Sequence, residues 1–183
     1  DHCLGQLVEA LEQQPARDRT VVVLWSDHGW NVGDKRRFRK HALWEGANHS
    51  VLLVIDPQLP VANAGAVFAG NVSLQDLYPT IVARAGLPRP DHVYGHDLAP
   101  ALLAPTTATD RPVLMTYNPG NHAVRTTTTS YLRYREGGQE LYDLTADPFE
   151  YHNLASDPTH AAKLREMNAL LDRMLAEKPA DQR

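Results

Sequence analysis

Leu4, Leu7, Val8 and Leu11 recur at helical spacing, which predicts an amphipathic helix over 4–14. Pro15 breaks that pattern, and 13–19 reads as a loop. Val21 to Trp25 form an unbroken apolar run inside a predicted strand over 20–26. A strand with one wet face would alternate apolar and polar residues, so this one is expected to be buried on both faces. A second such run predicts a strand over 51–55, closed by Asp56-Pro57, and 57–71 reads as a connection. Ser73 suits the N-cap of a helix running through Ala85, with Leu74, Leu77, Tyr78, Ile81 and Val82 on its apolar side. Pro79 falls inside that helix and predicts a kink or a late start, and Gly86 ends it. Residues 88–112, interrupted by prolines, read as a bridge to a smaller second part. There, 113–117, 123–128, 130–135 and 140–144 read as short antiparallel strands, with Gly137-Gly138 as a hairpin turn. A last amphipathic helix is expected over 159–176, opened by Asp157-Pro158.

The order of elements indicates an α/β fold followed by a small antiparallel sheet with a packed helix, divided as 1–100 and 101–183. In an open α/β sheet, groups just past the carboxyl end of a strand face the ligand crevice. Asp27 and His28 stand there, offering an oxygen and a nitrogen to a cation, and Gly29 lets the backbone come close. An ordinary polar turn would read the same from these residues alone. A basic loop from Lys35 to Lys40 follows, and a cation beside a lysine is suited to holding a tetrahedral oxyanion. Lys35, Arg36, Arg37 and Arg39 are read as a solvated basic loop, with Lys40 set apart as the functional candidate. His122 and Arg125 lie on a turn leading into a strand. They are either recognition groups for a sugar carboxylate or a structural hydrogen-bonding pair. His41, His49 and His96 read as structural or surface histidines.

A chain of 183 residues with 43% hydrophobic content can bury one domain-sized core. Its single cysteine, Cys3, excludes an internal disulfide, and no apolar run is long enough to suggest a membrane span. A net charge of −4 without any nucleic-acid motif argues against binding DNA or RNA.

Several motifs occur in a fixed order: Ser-Asp-His-Gly-Trp (26–30), Lys-His-Ala-Leu-Trp-Glu (40–45) and Ser-Leu-Gln-Asp-Leu-Tyr-Pro-Thr (73–80). Ala-Gly-Leu-Pro (85–88), Gly-Asn-His-Ala-Val-Arg (120–125) and Glu-Leu-Tyr-Asp-Leu-Thr-Ala-Asp-Pro-Phe-Glu-Tyr-His-Asn-Leu-Ala (140–155) follow. The series resembles the C-terminal part of the type I sulfatases of the alkaline phosphatase superfamily, in particular the iduronate-2-sulfatase-like branch. The resemblance covers nearly the whole chain, and its 140–155 tail is the most specific element. It implies the C-terminal portion of an alkaline-phosphatase-like α/β/α fold, with 1–100 belonging to the catalytic domain. The implied activity is hydrolysis of a sulfate ester, of a sulfated sugar or another small molecule, by a formylglycine nucleophile with one calcium ion. Asp27 and His28 match metal-ligand positions and Lys40 matches the sulfate-contacting lysine. Calcium prefers oxygen, so a histidine ligand is chemically second-best; zinc or manganese would accept it more readily.

The formylglycine of this family arises from a Cys/Ser-x-Pro-x-Arg motif, and Cys3 has neither the Pro nor the Arg. The paired aspartates that complete the family's calcium site have no counterpart either. The chain is therefore expected to be a C-terminal fragment, inactive and weakly calcium-binding alone, with the N-terminal part of the same protein as its partner. A periplasmic or secreted bacterial location is expected. One departure is His49-Ser50-Val51, where the branch has Arg-Val-Pro. Two other readings stand beside the sulfatase. One is a metal-dependent phosphodiesterase or phosphatase of the same superfamily, which needs a second metal and a further histidine, for which His96 is the candidate. The other is a non-catalytic module binding a cation or an anionic glycan.

Overall fold

The computed structural model describes residues 1–107 and 110–177. In chain order its elements are α1 (His2–Glu12), β1 (Val22–Trp25), β2 (Asn31–Val32), β3 (Phe38–Arg39), α2 (Glu45–Asn48) and β4 (Leu52–Ile55). Then come α3 (Leu77–Arg84), α4 (Ala99–Leu103), β5 (Val113–Thr116), β6 (His122–Arg125), β7 (Thr129–Arg133), β8 (Gln139–Asp143) and α5 (Ala161–Ala176). They form two compact units: 1–26 with 51–68 and 74–107, and 27–50 with 69–73 and 108–183. The loop carrying Asp27 to Lys40 belongs to the same unit as the C-terminal sheet.

In the first unit β1 and β4 pair antiparallel, Val22 opposite Ile55 and Trp25 opposite Leu52. The expectation that β1 is buried on both faces is not met: Leu24 and Trp25 are 36% and 50% exposed. Among the described residues β1 has one partner strand in a two-stranded sheet, too little to enclose it. α1 is amphipathic as expected, but buries none of its residues, and Cys3 on it is exposed. α3 shows the late start that Pro79 predicts. A 3-10 turn at Leu74–Asp76 precedes it, and Pro79 sits in its first turn, where a missing N–H costs nothing. The buried Asp76 carboxylate accepts from the backbone N–H of His96 at 2.8 Å, and Leu98 N–H donates to Thr80 Oγ1 at 2.8 Å. Among the described residues, no helix is long and apolar enough to cross a membrane.

The second unit is built on the antiparallel sheet β5-β6-β7-β8. Because side chains alternate along a strand, neighbouring residues feed opposite faces. Ala123, Leu132 and Tyr142 join Leu43 and Leu144 in one buried cluster, against which Trp44 packs. Val124, Tyr131 and Leu141 face the other way and meet Met167 and Leu171 of α5. One sheet face thus holds the C-terminal helix and the other anchors the chain just after Lys40. The hairpin between β7 and β8 turns at Gly137, whose φ of +90° favours glycine.

Candidate functional site

β1 ends at Trp25 and the chain turns sharply at Asp27-His28-Gly29. Gly29 N–H donates to the Ala47 carbonyl at 2.9 Å, tying this turn to α2. A Cβ on Gly29 would collide with the Gly46 carbonyl oxygen, so only glycine allows the approach. His28 Nδ1 lies 2.8 Å from its neighbour's carbonyl, Gly29 O. A carbonyl only accepts, so Nδ1 carries the hydrogen, and in the neutral ring the lone pair falls on Nε2. Lys40 Nζ donates to that nitrogen at 2.9 Å, and Asp27 Oδ2 lies 3.2 Å from it. Asp27, His28 and Lys40 are thus brought together.

This cluster borders a cleft of about 310 Å³ that His41, Asn48, Thr116 and Tyr117 also line. His122 and Arg125 lie on β6. His122 is buried, with Nδ1 3.0 Å from Thr116 Oγ1, one residue behind the cleft wall. Burial, reinforced by the positive charge of Arg133, holds its pKa below the ordinary imidazole value. Arg125 forms an ion pair with Glu45 of α2, whose other carboxylate oxygen meets His49 Nδ1 at 2.6 Å. His96, the candidate for a second metal, lies in the first unit with Nδ1 3.8 Å from Asp76.

The basic loop is not uniformly solvated. Lys35 Nζ donates to the Tyr142 hydroxyl at 2.8 Å and stands 4.3 Å and 4.6 Å from the ring centres of Tyr142 and Trp44. Two aromatic faces and a hydroxyl replace its water, so the solvated reading fails for this residue. Burial lowers its pKa, opposed by the charges of Glu140, Glu150 and Asp147. Lys35 and Arg36 both adopt left-handed backbone, at φ of 49° and 59°. Glu140 completes the anchor: its Oε2 accepts from Trp44 Nε1 and from the Tyr142 hydroxyl, each at 2.6 Å, and its Oε1 accepts from Tyr134 at 3.2 Å. Burial and the Glu140 carboxylate push the Tyr142 hydroxyl far up, so it remains a donor. Glu150, buried, accepts from Glu45 N–H at 2.8 Å at the start of α2, and burial raises its pKa. The 140–155 tail therefore acts in packing and in turns, and its spacing alone gave no sign that Glu140 and Glu150 hold the loop and α2.

Two donor atoms 3.2 Å apart, one carboxylate oxygen and one imidazole nitrogen, can share a cation, and a carbonyl fixing the other ring nitrogen suits a ligating histidine. Among the described residues no group of three or more His, Cys, Asp or Glu gathers as a complete metal site. Asp27 and His28 fit as part of a ligand set and fall short of a whole one.

An ammonium beside a cation-capable pair is chemically suited to a tetrahedral oxyanion. Residues 1–87 match the sulfatase family. A protein of Formosa agariphila described as a sulfatase is 34% identical over 175 residues, covering 93% of this chain and 33% of that one. Among solved structures, a 2-O GAG sulfatase superposes with a TM-score of 0.74 at 26% identity, over 94% of this chain and 39% of that chain. The phosphonate monoester hydrolase of Agrobacterium radiobacter superposes with a TM-score of 0.79 at 27% identity, over 95% of this chain and 38% of that chain. The fold is alkaline-phosphatase-like, and the chain spans about a third of the length of the curated relatives it matches.

Proposed function

We propose that this chain forms the C-terminal part of a sulfatase that hydrolyses sulfate esters of sugars, in the iduronate-2-sulfatase-like branch. The observation that carries this reading is the meeting of Lys40 and Asp27 at His28 Nε2, with His28 and Lys40 lining one cleft. In it Lys40 contacts and neutralises the sulfate, where an ammonium stabilises charge developing on the oxygens. Asp27 and His28 contribute to a divalent cation site, with calcium as the proposed ion; the cation would supply Lewis-acid polarisation of the sulfate. Glu140, Trp44 and Tyr142 hold the loop in the register that presents Lys40. His122 and Arg125 complete the proposed substrate side. For Arg125 to meet a sugar carboxylate it must give up Glu45, and for His122 to do so it must leave Thr116.

The proposal places the formylglycine nucleophile outside these 183 residues, so the chain alone is inactive. The match to a 2-O GAG sulfatase supports a sulfated sugar as substrate. A periplasmic or secreted bacterial location belongs to the same reading.

A second reading, hydrolysis of phosphonate or phosphate esters, is favoured by the match to a phosphonate monoester hydrolase. The same three residues would then hold a phosphoryl group. Assay of the intact protein that carries this chain decides between them. Preferred turnover of 4-nitrophenyl sulfate supports the sulfatase, and preferred turnover of 4-nitrophenyl phenylphosphonate supports the second reading.

A further inference from the structure

Tyr117 and His41 stand side by side on the cleft that carries His28 and Lys40. Their ring centres are 5.6 Å apart and their planes are tilted by 31°. Neither belongs to the buried clusters, and Tyr117 is 37% exposed. Each is fixed from behind. Tyr117 N–H donates to the Asn121 carbonyl at 3.0 Å in the hairpin between β5 and β6, and Ala42 N–H, just past His41, donates to the Lys40 carbonyl at 2.8 Å. His41 directly follows Lys40, so this aromatic wall begins one residue from the ammonium. Thr116 and Asn48 add a hydroxyl and an amide to the same cleft.

Two exposed, backbone-anchored rings beside an anion-holding group need a partner with one apolar face and one anionic end. A sulfated sugar has both. The electron-rich face of an aromatic ring attracts the slightly positive C–H edges on the flat side of a pyranose. A cleft of about 310 Å³ lies at the lower end of ligand pockets, with room for one ring and its sulfate. We infer that Tyr117, braced by His41, is a stacking platform for the sugar ring whose sulfate meets Lys40, and that it sets the preference for sugar sulfates over simple sulfate esters. This rests on the sulfate reading of Lys40, and the experiment separates the two.

The test uses saturation-transfer NMR and titration of the 183-residue chain with three probes: methyl glucoside 6-sulfate, methyl glucoside and methyl sulfate. The expected result is saturation of the ring C–H protons of methyl glucoside 6-sulfate. Tyr117→Ala is expected to weaken that probe by roughly 3- to 10-fold, as loss of one aromatic contact does, and to leave methyl sulfate binding unchanged. Tyr117→Phe should keep wild-type affinity, and the unchanged methyl sulfate binding of Tyr117→Ala shows that its effect is not misfolding. Equal weakening of both sulfate probes by Tyr117→Ala, or of neither, overturns the platform. So does a wild-type chain that transfers no saturation to either sugar ring. If methyl glucoside binds as tightly as its 6-sulfate, methyl sulfate does not bind, and both sugars respond to Tyr117→Ala, the platform stands and the sulfate reading of Lys40 fails.

Discussion

The ammonium nitrogen of Lys40 lies 2.9 Å from Nε2 of His28, across 12 positions of sequence. Asp27 Oδ2 lies 3.2 Å from the same imidazole nitrogen. The contact exists because Leu43 and Trp44 are packed on one face of the C-terminal sheet while Gly29 is bonded to α2, which pins both ends of the loop. It brings one cationic group and one carboxylate oxygen within 3.2 Å of a shared contact, His28 Nε2.

Two ligands are few for a hard ion that takes six to eight oxygens. Calorimetry of the 183-residue chain with calcium chloride should therefore register no binding tighter than about 100 μM, since even complete sites of the weak class bind only at 10⁻⁴ to 10⁻³ M. A tighter stoichiometric site abolished by Asp27→Asn would contradict the partial ligand set.

Glu140 gathers three donors, from Trp44, Tyr142 and Tyr134. Glu140→Ala strands them in a largely buried place, and each unpaired buried donor costs about 1–3 kcal/mol without strict additivity. The expected loss in urea unfolding is roughly 2–4 kcal/mol, with Glu140→Gln losing less because an acceptor oxygen remains. A neutral Glu140→Ala would remove this carboxylate as the anchor of the loop.

His122 titrates below the ordinary imidazole value of 6.5 because it is buried and faces Arg133. A depressed folded pKa means that its contribution to stability is present above the unfolded value and is lost as pH falls through the folded one. The melting temperature of the wild type should fall more steeply between about pH 7 and 5 than that of His122→Gln, which does not titrate. Parallel curves would show that His122 does not resist protonation in the fold.

Gly29→Ala is expected to destabilise the chain by roughly 1–3 kcal/mol, the cost of overpacking, because its Cβ meets backbone that cannot rotate away. Retention of full stability would mean that α2 shifts freely against the Asp27-His28 turn.

Much of the C-terminal half was legible as pattern. Short β-prone runs set between turn residues carried β5 to β8 to within a few residues, and apolar spacing carried α5, whose pattern reports burial on one face. The late start of α3 followed from Pro79 alone. Asp27, His28 and Lys40 were legible through motif resemblance, and their meeting around one imidazole nitrogen came only with the structure. The remainder had no local signal. Strands β2 and β3 are two residues each, too short for any period, and the Glu45–Arg125 pair joins positions 80 residues apart. Lys35 looked like its basic neighbours because nothing in its own segment announces Tyr142 or Glu140, more than 100 residues on. The apolar run of β1 suggested two covered faces, whereas a run reports only that a strand can be covered.

The central claim, that Lys40 holds the oxyanion, is tested most directly by Lys40→Ala in the intact protein that carries this chain, with kcat/KM for 4-nitrophenyl sulfate and Tm measured side by side. kcat/KM is expected to fall by about 10² or more, the scale of one lost oxyanion donor, with Tm nearly unchanged. Undiminished turnover, or activity lost in step with Tm, would contradict it.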